Sequence, residues 1–462
     1  MLVMKFGGTS VGSAEAMRRA GRIVQSRLAR SPIVIVSAIG QVTDVLVAIG
    51  RSAAQRDRIK AFKLILELSA QHRTLLHQLG LENDAGLRTL LLEVEQQLKK
   101  LVETIIQAGY TPKPVSDELL SLGELLSAHI LSRFLCSFGI DSVMIDSRKV
   151  MITDSQFGKA QPQWDAAREQ ARKTLMPLVN RAVVPVMQGF VGADADGRTT
   201  TLGRGGSDYS ATLIGAMLNA AAVEIWTDVD GVLTADPTLV PEAKRIRRMT
   251  FQEAAELAYF GAKVLHPASL LPAVGKNIPV SVLNSQRPEA DGTLISPKLI
   301  ESDSKECVVK SIAYKEDITV VTVTSTRMLM AYGFLSSIFE IFNRYQTSVD
   351  LVTTSEVSVS VTIDQKDRLA EIQRDLSHFS QLEVQSHKAI VCLVGQRMRR
   401  TAGMPGLIFS ILSDIPIHLI SQGASEINIS FVVDERDLPV VVRSLHKRFF
   451  SGPLDPEIFV VN

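Results

Sequence analysis

A chain of 462 residues has room for about two to four domains, and 46% hydrophobic with 21% charged residues is the balance of a globular protein, which excludes a disordered one. Fifty basic against forty-nine acidic residues leave a formal charge of +1, without the basic surplus that nucleic acid or an anionic membrane demands. Cys136, Cys307 and Cys392 are an odd, scattered set that argues against a disulfide framework or a zinc site; they read as buried small hydrophobes. The start, MLVMKFGG, lacks the pattern of a signal peptide, and no apolar run is long enough for a bilayer, so a soluble, cytoplasmic protein is expected.

The first half alternates short apolar runs with helical stretches, the pattern of a mostly parallel sheet covered by helices. Residues 1–6 read as a strand ended by Gly7 and Gly8, residues 13–30 as a helix, and residues 33–36 as a second buried strand. Between 55 and 108, apolar residues at 87, 90, 91, 94, 98, 101 and 105 recur at helical spacing, a helical excursion in which His72 and His77 read as surface residues. Strands return at 142–145, 183–188, 223–227 and 278–282. The polar, turn-rich stretch 286–306 reads as a linker, which bounds a first domain at 1–285. Beyond it, strands at 318–323, 348–352, 357–363 and 382–385 alternate with helices at 334–344 and 366–379 in a β-α-β-β-α-β order of ferredoxin-like type. The order recurs with strands 389–394, 417–420 and 427–433 and helices 405–413 and 438–449, and SVDLVTTSEVSVSVTI (348–363) is echoed by PIHLISQGASEINISFVV (416–433). The expected α+β domains are 307–387 and 388–462, the second open to completion by a strand from 307–315.

Four motifs carry chemistry. KFGGTSVGS (5–13) ends a strand in two glycines ahead of a helix, with Lys5 as a point charge; a phosphate cradle and a plain turn stand as equal readings, since neither a Walker A loop nor G-x-G-x-x-G is present. In GRTTTLGRGGSDYSA (197–211), Asp208 could cap the following helix, whereas Arg204 among glycines suits a carboxylate or phosphate. WTDVDGVLTADP (226–237) places Thr227 and Asp228 just past a buried strand, where open α/β sheets bind ligands, and also fits a turn at Asp230-Gly231. In FGAKVLHP (260–267), Lys263 leads into His266, which reads as a structural hydrogen-bonder.

Together with DELLSLGELLSA (117–128), these motifs resemble the signatures of the aspartokinases, in that family's order, over nearly the whole chain. The resemblance is to the lysine-sensitive, monofunctional bacterial type, and implies an amino-acid kinase fold (a three-layer α/β sandwich) followed by two ACT domains. It implies transfer of the γ-phosphoryl group of ATP, with Mg2+, to the side-chain carboxylate of L-aspartate. By similarity Lys5 stabilises the transferring group and Asp208 organises the site, while Ser37, Thr43, Glu118, Arg204 and Ser207 match aspartate-binding positions. Gly7, Gly8, Thr227, Asp228, Lys263 and Val264 match nucleotide positions, although Leu233 and Thr238 stand where relatives have Tyr and Arg. Met328, Phe334, Leu335, Val349, Asp350, Thr354, Ser355 and Glu356 match an inhibitory L-lysine site; Phe334, Leu335 and Val349 also read as core, and Met330 replaces a histidine of close relatives. The family also implies a homodimer or a dimer of dimers through the ACT domains. The competing readings are a kinase of another small acceptor on the same fold and a non-catalytic amino-acid sensor; retention of Lys5, Arg204 and Asp208 tells against the sensor.

Overall fold

Leu2–Phe6 (β1) is buried along its whole length, as a strand covered on both faces must be. It lies in a computed structural model that describes residues 1–261, 266–297, 309–325 and 332–460; Lys263, Val264, Cys307, Met328, Met330 and the end of the expected linker fall outside those residues. After β1 come α1 (Ala14–Ser26), β2 (Pro32–Val36), α2 (Val42–Ala54), α3 (Arg58–Leu79), α4 (Ala85–Ala108), α5 (Lys113–Ser137), β3 (Ser142–Ile145), α6 (Trp164–Asn180) and β4 (Val184–Gln188). Then follow β5 (Val191–Ala193), β6 (Thr199–Thr201), α7 (Gly206–Leu218), β7 (Ala222–Thr227), β8 (Arg248–Thr250), α8 (Phe251–Tyr259), α9 (Pro267–Lys276), β9 (Val280–Asn284) and β10 (Thr293–Ser296).

The sheet order is β3-β4-β2-β1-β7-β9-β10-β8, every pair parallel except β9 with β10. A parallel register brings the carboxyl ends of β1, β2, β4 and β7 to one edge, where such sheets bind ligands. The helical excursion is α3 and α4, started by side-chain caps: Asp57 accepts from the Lys60 amide at 3.0 Å and Asp84 from the Leu87 amide at 3.0 Å. Their inner faces, including Leu68, Leu75, Leu87, Leu91, Val94, Leu98 and Ile105, join α5 in one core. His72, expected at the surface, is buried, and its Nδ1–H donates to Leu68 O at 2.8 Å, which satisfies one ring nitrogen locally. Cys136 also departs from expectation: it is exposed, near the end of α5, whereas Cys392 is buried. The sequence suggested no bilayer-length apolar run, yet α5 is long and apolar enough; 72% of its most apolar window is buried inside the protein.

The later elements are β11 (Val309–Thr324), α10 (Phe334–Arg344), β12 (Val352–Thr354), β13 (Ser358–Ile363), α11 (Leu369–Ser377), β14 (Gln381–Gly395), α12 (Met404–Ile411), β15 (Leu419–Ser421), β16 (Asn428–Asp434) and α13 (Leu438–Phe450). They form a single six-stranded antiparallel sheet, β12-β13-β11-β14-β16-β15. The two strands expected at 382–385 and 389–394 are one strand, β14. It pairs along its length with β11, which begins nine residues earlier than the expected 318. Register shifts between Lys315 and Val320 mark where the two ferredoxin-like halves join. By contacts the chain divides into two interleaved units, 1–232 with 247–251 and 264–299, and 233–246 with 252–263 and 300–462.

Candidate active site

Lys5 is the penultimate residue of β1, so the strand's own pleat fixes its direction, and the residue is only 8% exposed. Its Nζ stands 2.7 Å from Asp208 Oδ1. Asp208 belongs to the first turn of α7, where the positive end of the helix dipole favours a carboxylate. The pair therefore holds an ammonium group at the ligand-binding edge of the sheet.

The chain then turns at Gly7 and Gly8. A Cβ on Gly8 would lie 2.8 Å from Ala38 O and 3.1 Å from Gly40 O, so only glycine allows this approach. The Gly7 amide donates to Trp226 O at 3.0 Å, extending the β1–β7 pairing, whereas the Gly8 and Thr9 amides have no partner among the described residues. Ser10 Oγ donates to Trp226 O at 3.2 Å and lies 2.8 Å from Ser285 Oγ; the Ser285 amide donates to Thr227 O at 2.8 Å. These two serines tie the glycine turn to the ends of β7 and β9. At the β7 end, Thr227 is half-buried and Asp228 exposed, with Thr227 Oγ1 donating to Asp228 Oδ1 at 3.2 Å. Leu233 and Thr238 fall in the second unit, and Thr238 Oγ1 donates to Asp236 at 2.6 Å.

Around this edge lie the residues that match aspartate positions. Ser37 follows β2, with its amide donating to Phe6 O at 3.1 Å, and Thr43 stands in the first turn of α2; both are half-buried. Glu118, on α5, accepts from Gln97 Nε2 at 2.7 Å. It also raises the guanidinium pKa of Arg148 electrostatically, after Asp146, which binds that guanidinium at 2.7 Å. Ser207 is half-buried in the first turn of α7, and Arg204 is exposed in the preceding loop, with no ion-pair partner among the described residues. That loop is anchored by Asp117, which accepts from the Thr201 amide at 2.8 Å, Thr201 Oγ1 at 2.9 Å and the Gly158 amide at 2.9 Å. Burial still pushes the Asp117 carboxyl above its ordinary range.

Asp117, Arg148, Ser285 and Glu124, whose Oε1 accepts the Ala38 amide at 3.1 Å, belong to this network and were passed over by motif reading. Asp117 and Glu124 lay inside a quoted motif, and two carboxyls in an apolar helix were the available signal. Arg148 and Ser285 stand in segments with no local signature.

In the second unit, Asp350 Oδ1 lies 2.9 Å from Lys315 Nζ and accepts from Tyr259 Oη at 3.1 Å; its other oxygen is buried with no partner among the described residues. Phe334 and Val349 pack against the β11–β13 core, as their second reading had it, while Leu335 is exposed at the start of α10. Thr354 and Glu356 are exposed by the β12–β13 turn, which Ser355 closes through Ser358 at 2.7 Å.

The geometry has clear relatives. Residues 1–284 match the model of the amino acid kinase family and residues 391–449 that of an ACT domain. The lysine-sensitive aspartokinase 3 of Escherichia coli is 38% identical over 98% of this chain and 99% of its own length. The crystal structure of E. coli aspartokinase III with aspartate and ADP (R-state) is similar over 98% of this chain and 100% of its own, with a TM-score of 0.85. The same enzyme with lysine and aspartate (T-state) gives 0.78. A parallel sheet with an ammonium–carboxylate pair at its ligand edge, matched end to end by these proteins, places the chain in the amino acid kinase family and, within it, among the aspartokinases.

Proposed function

We propose that this aspartokinase transfers the γ-phosphoryl group of MgATP to the side-chain carboxylate of L-aspartate, giving 4-phospho-L-aspartate and ADP. The observation that carries the site assignment is the Lys5–Asp208 pair beside the unpartnered Gly8 and Thr9 amides, positive charge and backbone donors at one sheet edge. The acceptor carboxyl, with an ordinary pKa of about 4, is already ionised, so no general base is required. One carboxylate oxygen forms the new O–P bond as the bond to the β–γ bridging oxygen breaks, and ADP leaves with that electron pair. Two anions must meet in line, so the work of the protein is positioning and charge.

In this reading Lys5 carries the charge on the phosphoryl group in flight, and Arg204 and Glu118 hold the carboxylate and ammonium of aspartate, with Ser37, Thr43 and Ser207. Gly7, Gly8, Thr227 and Asp228 serve the nucleotide, as Lys263 and Val264, outside the described residues, do by similarity. The nucleotide phosphates and water would supply most magnesium ligands, so the protein need not build a carboxylate cage. L-Lysine acts as feedback inhibitor at the Asp350 region, and the ACT halves assemble a homodimer or dimer of dimers. Action in the cytoplasm is part of the same reading.

A coupled assay across aspartate, glutamate and N-acetylglutamate tests it. Aspartate is expected to be the preferred acceptor and Lys5→Ala to lower kcat about 10²–10³-fold. Preference for another acceptor, or near wild-type rate in Lys5→Ala, refutes it.

A further inference from the structure

Glu124 lies further along α5 than Glu118 and is 4% exposed. Its Oε1 accepts the Ala38 amide at 3.1 Å, and its Oε2 is buried with no partner among the described residues. A Cβ on the preceding Gly123 would stand 2.9 Å from Ala38 Cβ and 3.1 Å from Val42 Cγ1. The helix therefore approaches the 37–42 turn more closely than any other residue at 123 permits. The far side of that turn meets the glycine cradle: Ala38 O faces Gly8, and the Gly40 amide donates to Gly8 O at 3.0 Å. Ala38 is thus held at its amide by Glu124, while its carbonyl packs closely against Gly8. Ser37 precedes the clamp and Thr43 follows it.

We propose that Glu124 is a positioning residue for phosphoryl transfer, holding the Ala38 amide so that Ser37 and Thr43 keep a fixed distance from the Gly8 backbone. The inference rests on the aspartokinase reading of this edge. It assigns one buried carboxyl to the alignment of the two substrate sides, which no single binding residue could maintain. Burial pushes the carboxyl up to about 7, which favours its neutral form near a site where two anions meet. A neutral acceptor of the same shape should therefore replace it.

The experiment measures steady-state kinetics in both substrates, with thermal melting, for wild type, Glu124→Gln and Glu124→Leu. Glu124→Gln is expected to stay within about threefold of wild type, and Glu124→Leu to lose about 100-fold in kcat/KM for aspartate, the scale of an ångström of misplacement. Equal loss in both folded variants, or no loss in either, overturns the proposal. So does a loss in Glu124→Leu that matches its unfolded fraction. Should Glu124→Leu not fold, Gly123→Ala carries the test: it pushes α5 off Ala38 with the carboxyl intact, and an unchanged kcat/KM would count against the clamp. Wild-type protein inert toward aspartate would instead sink the parent reading, and does so before any variant is made.

Discussion

Ionisable groups around the same sheet edge meet the cost of burial in different ways. Lys5 and Asp208 keep opposite charges 2.7 Å apart. Glu124 has no cation among the causes of its shift; desolvation outweighs the Ala38 hydrogen bond and favours a bound proton. The consequence for stability has a definite sign. The folded-state value of about 7 lies above the ordinary 4.5, so folded protein holds a proton that the unfolded chain releases. This contribution is complete below pH 4.5 and is lost as the pH rises through 7, about 3 kcal/mol in all. Glu124→Gln removes the titration. Urea unfolding at pH 5 and pH 8 should therefore show a loss of stability with pH that is smaller in the variant by roughly that amount. Parallel pH dependence in the two proteins would mean that Glu124 is ionised throughout.

At the scale of elements, the repeat in the second unit extends to its ion pairs. In the first half, Lys315 of β11 meets Asp350 at 2.9 Å and Asp364, just past β13, at 2.6 Å. In the second, Lys388 of β14 meets Asp434, at the end of β16, at 2.5 Å, and His418, which occupies the place of Asp350, at 3.1 Å. The first cluster has one more carboxylate than ammonium, and the second has equal numbers. An ammonium ligand is drawn to the first and offered nothing by the second, where it would meet Lys388 without a surplus charge. Titration calorimetry with L-lysine should give one equivalent per chain, with affinity weakened at least about tenfold by Asp350→Asn and unchanged by His418→Ala. Two equivalents per chain, or a response to His418→Ala alone, would place the ligand elsewhere. The repeat itself was legible because strand alternation and the echo of 348–363 in 416–433 survive without any knowledge of pairing. The fusion of its strands was not. The polar residues Glu316-Asp317 and Ser386-His387 lie outside the expected strands, yet the backbone carries β11 and β14 through them, with Asp317 and His387 both at φ 57. The same limit applies at the active site. Lys5, the glycines and Asp208 sit in one short motif each, whereas the Glu124–Ala38 clamp joins residues whose relation exists only once α5 packs beside β2.

On the scale of the whole molecule, the linker at 286–306 looks like a place to divide the chain, but the units interleave across it. Residues 233–246 and 252–263 precede the linker and belong with the six-stranded sheet that follows it. The attachments are specific. Lys310 Nζ lies 3.1 Å from Glu253 with both side chains fully buried, the Ile312 amide donates to Thr234 O at 2.8 Å, and Ile246 bridges to Phe459. Thr234 Oγ1 accepts the Lys244 amide at 2.8 Å and lies 2.9 Å from His446 Nε2, and burial lowers the pKa of that ring, which favours its neutral form. A chain ending at residue 285 would remove Lys310 and break this fully buried ion pair from one side. Breaking a buried pair from one side costs about 3–5 kcal/mol, a large part of the stability of an ordinary domain. The truncated chain should therefore aggregate or melt more than about 10 °C below the full-length protein. Lys310→Met in the full chain should reproduce part of that loss by the same mechanism. A 1–285 chain that is monodisperse and melts within a few degrees of full-length protein would mean that the first unit tolerates exposure of residues 233–246 and 252–259, and that the buried pair serves the sheet alone.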